Sequence, residues 1–224
     1  MSMQYERILQ DSFDFTSDAL WGRWVRWLQL VACIIIFPLM YGYFVRIMRG
    51  DTPAPELSGW GRLFVDGLKL LVVYLVYVGF IILIALALIA GAGILGGIGS
   101  PVYLVSAIAA GVLFLLVWLV AQMAAVRFSR EESLREAFNI SAILGHIRAI
   151  GWGSYILSQV ILQIVLMLVT TVLVFLVTTV TSILGVVIGF LGFVLLPIFL
   201  LVLYPGIYIF QYRYNTLVYE SAAA

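Results

Sequence analysis

From Leu70 to Val126 the chain carries no charged residue, an uninterrupted run of 57 residues. Drawn as one α-helix it would be about 85 Å long at roughly 1.5 Å per residue. The hydrocarbon core of a bilayer is only about 30 Å thick, so the run must double back. Glycine and proline cluster at "GAGILGGIGSP", Gly91 to Pro101, which places the turn there and predicts spans over about 70–90 and 102–126. A second uncharged run, Ala149 to Tyr212, is expected to turn near "TSILGVVIG", Thr181 to Gly189, giving spans over about 152–180 and 186–210. A shorter apolar run, about 28–45, is long enough to cross once, with Pro38 placed to kink it. The expected fold is an all-α, polytopic transmembrane helical bundle with short interfacial amphipathic helices. It comprises an N-terminal amphipathic segment (1–27), a transmembrane domain (28–212) and a C-terminal tail (213–224).

Composition agrees with that reading. The chain is 64% hydrophobic and 10% charged, against roughly 25% charged in a soluble domain. Too little polar surface exists to coat a water-soluble globule, which makes the chain an integral membrane protein. Net charge is +1 and gives no reason to expect nucleic acid as a partner. Cys33 is the single cysteine, so no intrachain disulfide can form. The opening "MSMQYERILQDSFDF" lacks the basic-then-apolar order of a signal peptide.

The charges fall in two islands, 46–69 and 127–148, and in the tail from Arg213. Together these hold nine of the twelve Lys and Arg, and the two predicted outer turns hold none. An even number of crossings separates the islands, so they share one face. The positive-inside rule makes that face cytoplasmic and the expected location the plasma membrane. Arg7, Arg23 and Arg26 fall on the opposite face if 28–45 spans, and on the same face if it is re-entrant around Pro38. In "ALWGRWVRWL" tryptophans recur at 21, 24 and 27, which fits an interfacial helix or an aromatic belt at the mouth of a span.

A unit recurs: a span closed by arginine, a short amphipathic stretch, then glycine shortly before a basic residue that opens the next span. "PLMYGYFVRIMRG" with "FVDGLKLLVVYL", and "VAQMAAVRFSREE" with "AILGHIRAIGWG", are its two copies. The stretch "YGYFVRIMRGDTPAPELSGWGRLFVDGLKLLVVYLVYVG" resembles a family of archaeal membrane proteins, domain of unknown function 4013. The residues that carry the resemblance are Gly42, Tyr43, Arg46, Arg49, Gly50, Trp60, Leu63, Phe64, Asp66, Gly67, Leu68 and Lys69, and the upstream "FDFTSDALWGRW" is similar to the family's opening. The resemblance implies an archaeal plasma membrane protein and brings no activity with it.

Two sets of residues are candidates for function. Arg46, Arg49, Arg62, Asp66 and Lys69 in the first island, with Arg127, Arg130 and Arg148 in the second, form candidate interfacial anchors. Arg62, Asp66 and Lys69 are spaced i, i+4 and i+7, which favours mutual pairing at a helix start over a headgroup- or partner-binding cluster. Arg46 and Lys69 are expected to fix helix ends at the headgroup plane. The turn between them uses Pro53 and Pro55, with Ser58 as the expected helix cap. Gly67 would let two helices or a headgroup approach closely. In the second island Ser129 and Glu132 have capping-box spacing, Glu131 and Arg135 an i, i+4 spacing, and Leu134, Phe138 and Ala142 share one face of an amphipathic helix resting on the inner leaflet.

The second set is a polar stripe on the fourth span: Tyr155, Gln159, Gln163 and Thr170. Hydrogen bonds between helices and the lining of a passage for a small neutral solute are the two readings, and the first is favoured. "GVVIG", Gly185 to Gly189, has the small-xxx-small pattern of packed helices. The predicted spans contain no Asp, Glu, Lys, Arg or His, which argues against proton-coupled transport. Glu131 and Glu132 have no nearby histidine to complete a metal site, and His146, the only histidine, reads as interfacial. No phosphate loop or nucleophile elbow is present. The expectation is a non-enzymatic, membrane-organising, scaffold or lipid-contacting protein without a cofactor. Its expected partners are membrane lipids, a second copy of itself or other membrane proteins. The alternative is a channel or permease.

Overall fold

A computed structural model describes residues 4–222, apart from the side chains of 187, 188 and 190–193. The first three residues of the N-terminal segment and the last two of the tail lie outside the described residues. Every regular element among the described residues is a helix: α1 (Tyr5–Leu20), α2 (Trp24–Ile35), α3 (Phe37–Met48), α4 (Trp60–Gly96), α5 (Pro101–Glu131), α6 (Leu134–Ala137), α7 (Ile140–Ile150), α8 (Trp152–Ile188) and α9 (Phe190–Glu220). Four of them, α4, α5, α8 and α9, are long and apolar enough to cross a membrane.

Both predicted reversals exist, and both are tighter than expected. Helix α4 runs on through Gly91 and Gly93 to Gly96, and the turn is confined to Gly97–Ser100. Gly97 and Gly99 take positive φ there. The Ser100 hydroxyl then accepts from the Tyr103 amide at 3.2 Å, with Pro101 at the first position of α5. Between α8 and α9 the reversal is at Gly189, with φ 63° and ψ −131°. The expected breaks at 91–101 and 181–189 were drawn from propensities that hold in water. In hydrocarbon an open backbone group costs several kcal/mol, more than the ~1 kcal/mol that glycine costs a helix, so the helices continue. Threonine does not break α8 either: the hydroxyls of Thr178 and Thr181 donate back to the carbonyls of Val174 and Val177.

The single helix expected over 28–45 is instead two. Helices α2 and α3 have 12 residues each, about 18 Å at 1.5 Å per residue, and neither reaches across a 30 Å layer. The chain breaks at Ile36, φ −109° and ψ 79°, because Pro38 has no amide to bond back into α2 and its ring would clash with the carbonyl four residues earlier, at Ile34. Both ends of the α2–α3 unit lie with the charged islands. The Arg26 guanidinium donates to the Ala54 carbonyl at 3.3 Å, and Arg23 and Arg26 border a hollow with Glu56 and Leu57. Helix α1 lies along α9: Arg213 pairs with Asp11 at 2.8 Å and sits 4.7 Å over the Phe15 ring. Arg23 and Arg26 of the N-terminal segment therefore lie beside the first charged island.

The core is built at that charged end. Large side chains with no exposure there include Tyr43, Leu63 and Leu70, and Tyr155 and Tyr214 from the second half of the chain. Away from it, α4–α5 and α8–α9 are two hairpins, and only 6 to 17% of the residues in their most apolar stretches are buried. Gly185 meets nothing that a Cβ would touch, so the "GVVIG" pattern packs no neighbour at that position. Trp27 of α2 donates its indole N–H to the Val202 carbonyl at 2.7 Å, next to the turn of α9 where Pro205 supplies no amide.

Candidate functional site

The charged end is a set of ion pairs that ties six helices together, α1, α3, α4, α5, α6 and α9. Asp66, 6% exposed, is its centre. Arg49 of α3 donates to its carboxylate at 2.8 Å, while Arg62 and Lys69 of its own helix stand at 3.8 and 4.0 Å. Glu132, just past α5, lies 3.2 Å from the Nε of Arg49 and 3.1 Å from Arg62. These groups surround an open hollow of about 320 Å³. Three basic and two acidic side chains line it. A second hollow, about 360 Å³, shares Arg49 and Arg62 with it and adds Arg46, Asp51 and Glu56.

The second island folds differently from expectation. Ser129 and Glu132 do not form a capping box: Ser129 lies inside α5 and donates to the Ala125 carbonyl at 2.9 Å, and Glu132 has left-handed backbone, φ 52°. That conformation ends α5 and turns the Glu132 carboxylate toward Arg49 and Arg62, so it serves ion pairing. Leu134 and Ala142 lie on separate helices, α6 and α7, with Phe138 in the break. Asn139 caps α7 by accepting from the Ala142 amide at 3.2 Å. Arg127 pairs with Glu136, its Nε donating at 2.9 Å, which holds that carboxyl below its ordinary range. Arg130 pairs with Glu220 of α9. Arg148 is exposed in the last turn of α7, where a cation suits the helix dipole. His146 stacks on Tyr219 with ring centres 3.7 Å apart and bonds the Tyr219 carbonyl at 2.8 Å; burial pushes its pKa down.

Ser58 does not cap α4. Gly59, φ +63°, stands at that position, and the Ser58 carbonyl accepts from Arg46 instead. Arg46 holds the Glu56 and Ser58 carbonyls at 2.7 and 2.5 Å, fixing the loop that leads into α4. Arg46 and Lys69 are thus unequal anchors. Arg46→Ala is expected to speed amide exchange over 56–63 by about tenfold, the worth of ~1.5 kcal/mol for hydrogen bonds from a charged donor. Lys69→Ala, losing one 4.0 Å contact of a side chain 40% exposed, is expected to change stability by less than about 0.5 kcal/mol. Hydrogen exchange and detergent-denaturant titration of both variants test the difference.

The polar stripe of the fourth span divides. Four residues advance a helix by about 40° beyond a full turn, so the row winds from the interior to the surface. Tyr155 and Gln159 are buried, 0% and 2% exposed; Gln163 is exposed and Thr170 half-buried. Tyr155 donates to the Leu119 carbonyl at 2.7 Å. Gln159 donates to Asn215 at 3.0 Å, and Asn215 donates to Gln122 at 3.0 Å. This chain of three amides joins α8, α9 and α5, while the Gln159 Oε1 has no partner. Sequence reasoning overlooked Gln122 and Asn215. Gln122 carried a signal, being the only amide side chain in the run from Leu70 to Val126. Glu136, Glu220 and Asp11 carried none, because their partners are set by tertiary placement.

No curated protein and no solved structure matches the chain. A family match covers residues 27–179, which takes in most of α2, all of α3 to α7 and most of α8: the ion-paired island, the two short helices before it and the first hairpin. The chain belongs to the family described as "Protein of unknown function (DUF4013)".

Proposed function

We propose that this is a non-enzymatic, membrane-organising scaffold of an archaeal plasma membrane that acts through lipid contact and association with membrane proteins. The observation that carries the reading is the ion-paired end. Its cations are engaged with carboxylates and carbonyls of neighbouring helices, which makes it a rigid plate at headgroup level. The exposed Arg148 gives the plate a modest attraction for anionic headgroups, about 1 kcal/mol. The winding of the polar row speaks against the permease alternative, since Gln159 is held among helices and Gln163 faces outward.

Placement of the plate on the cytoplasmic side follows from the positive-inside rule. In a Cys33→Ala background, cysteines at Ser58 and Ser133 are expected to react with an impermeant maleimide only from the cytoplasmic side of oriented vesicles. Labelling of either from outside overturns the topology. Proteoliposomes should pass glycerol and urea no faster than protein-free vesicles; a protein-dependent flux overturns the scaffold reading in favour of the permease.

A further inference from the structure

Two arginines are buried among the described residues, and their partners differ. Arg213, 6% exposed, is paired with Asp11 at 2.8 Å. Arg26, 8% exposed, forms no ion pair among the described residues. Its one hydrogen bond there runs from Nη1 to the Ala54 carbonyl at 3.3 Å, although a guanidinium carries five donors and keeps its charge. A buried charge without a counter-charge is costly.

Arg26 borders the hollow of about 510 Å³ at the start of α2, together with Arg23, Gln29 and Glu56. Arg23 is exposed and forms no ion pair either. Helix α2 opens without a side-chain cap, so the free amides of its first turn add partial positive charge at the same place. Glu56 is the one acid among the lining residues, and it pairs with neither arginine. The outward face of α2 is apolar: Trp24, Val25, Leu28 and Ile35 are 61 to 83% exposed and lie within an arc of about 100°. Trp24 and Val25 also line the hollow, so the cationic site runs directly into the apolar face.

We propose that this hollow holds the phosphate headgroup of a membrane lipid, with Arg26 and Arg23 on the phosphate oxygens and the hydrocarbon chains along the Trp24–Ile35 face. The inference rests on the lipid-contact reading above and names the headgroup chemistry. A guanidinium and a phosphate pair through two parallel hydrogen bonds, which supplies the counter-charge that Arg26 lacks. A soluble phosphate ester would satisfy the arginines and leave Val25 and Leu28 bare. An uncharged lipid would cover those side chains and leave Arg26 unpaired. A phospholipid does both.

The test uses the full chain, stripped of lipid in a maltoside detergent and titrated with phosphatidylglycerol, with a diacyl galactolipid of the same chains, or with glycerol 3-phosphate. Bound molecules are counted by native mass spectrometry. Phosphatidylglycerol is expected to saturate a single site, about tenfold or more tighter than the other two, the worth of a hydrogen bond to a charged group. Arg26→Gln should weaken that binding by about the same factor, and Arg23→Gln about fivefold, as for one basic group beside an anionic lipid. Glu56→Gln should tighten it, and Arg148→Gln, on α7, should leave it unchanged. In detergent alone Arg26→Gln should melt no lower than the parent, since it removes an unpaired charge; on adding phosphatidylglycerol the parent's Tm should rise and the variant's should not. Galactolipid or glycerol 3-phosphate bound as tightly as phosphatidylglycerol, or both arginine variants binding like the parent, overturns the proposal. Failure to bind either lipid overturns the lipid-contact reading as well.

Discussion

Gly67→Ala is expected to unseat α3 from α4 and to cost about 3 kcal/mol or more. A Cβ at Gly67 would overlap the Pro38 carbonyl oxygen and lie 2.7 Å from the Gly42 nitrogen; a Cβ at Gly42 would overlap the Leu63 carbonyl. The two helices therefore touch backbone to backbone, with glycine facing backbone on each side. Overpacking a core ordinarily costs 1–3 kcal/mol because side chains can rearrange. A backbone carbonyl has no such freedom, so the helices must part. Parting them would pull Arg49 from Asp66, whose 2.8 Å pair spans the same contact, and breaking a buried pair adds its own penalty. Gly79→Ala is the control. Nothing lies within 4 Å of a Cβ there, and alanine favours a helix by roughly 0.5–1 kcal/mol over glycine. Denaturant titration in micelles should show Gly67→Ala strongly destabilised and Gly79→Ala unchanged or stabilised. Equal stability of the two variants would refute the close contact.

These glycines show what was legible in the sequence. Gly67 stood out beside Asp66 and Lys69, and a close approach there was expected. That its partner would be Pro38, on a helix broken at Ile36, was not, because a kink and a break give the same local signal in an apolar run. The hairpins were legible because their evidence is length against bilayer thickness, which needs no tertiary knowledge. The positions of the turns were less so, since glycine's cost is set by the surrounding solvent. Spacing revealed Asp66 with Arg62 and Lys69, yet its shortest pair is to Arg49, from another helix. Arg130 and Glu220, 90 residues apart, meet only because α9 returns beside α5. The polar stripe was read as one row because spacing alone does not say which side of a helix is covered. Forty degrees per step separates the buried Gln159 from the exposed Gln163.

That division sets opposite expectations for neighbouring amides. Asn215→Leu should cost about 2–4 kcal/mol. Asn215 is 1% exposed and stands between Gln159 and Gln122, accepting from one and donating to the other. Its loss removes two hydrogen bonds, each worth about 0.6–2 kcal/mol between membrane helices, and leaves the amide ends of two other helices unpaired in low dielectric. Gln159 would suffer most, because its Oε1 already lacks a partner. The triple replacement of Gln122, Gln159 and Asn215 by leucine should recover part of the loss, since apolar side chains leave no orphaned donors or acceptors. Gln163→Leu, at an exposed position, should be neutral or stabilising. Unfolding titrations of the three variants decide the matter: an Asn215→Leu protein within about 0.5 kcal/mol of the parent, below the weakest bond in that range, means the three amides do not join the hairpins. The predicted loss would place the link between the hairpins in the same layer as the aromatic and ion-paired core. From that base each hairpin continues outward with its apolar surface bare, free to meet lipid.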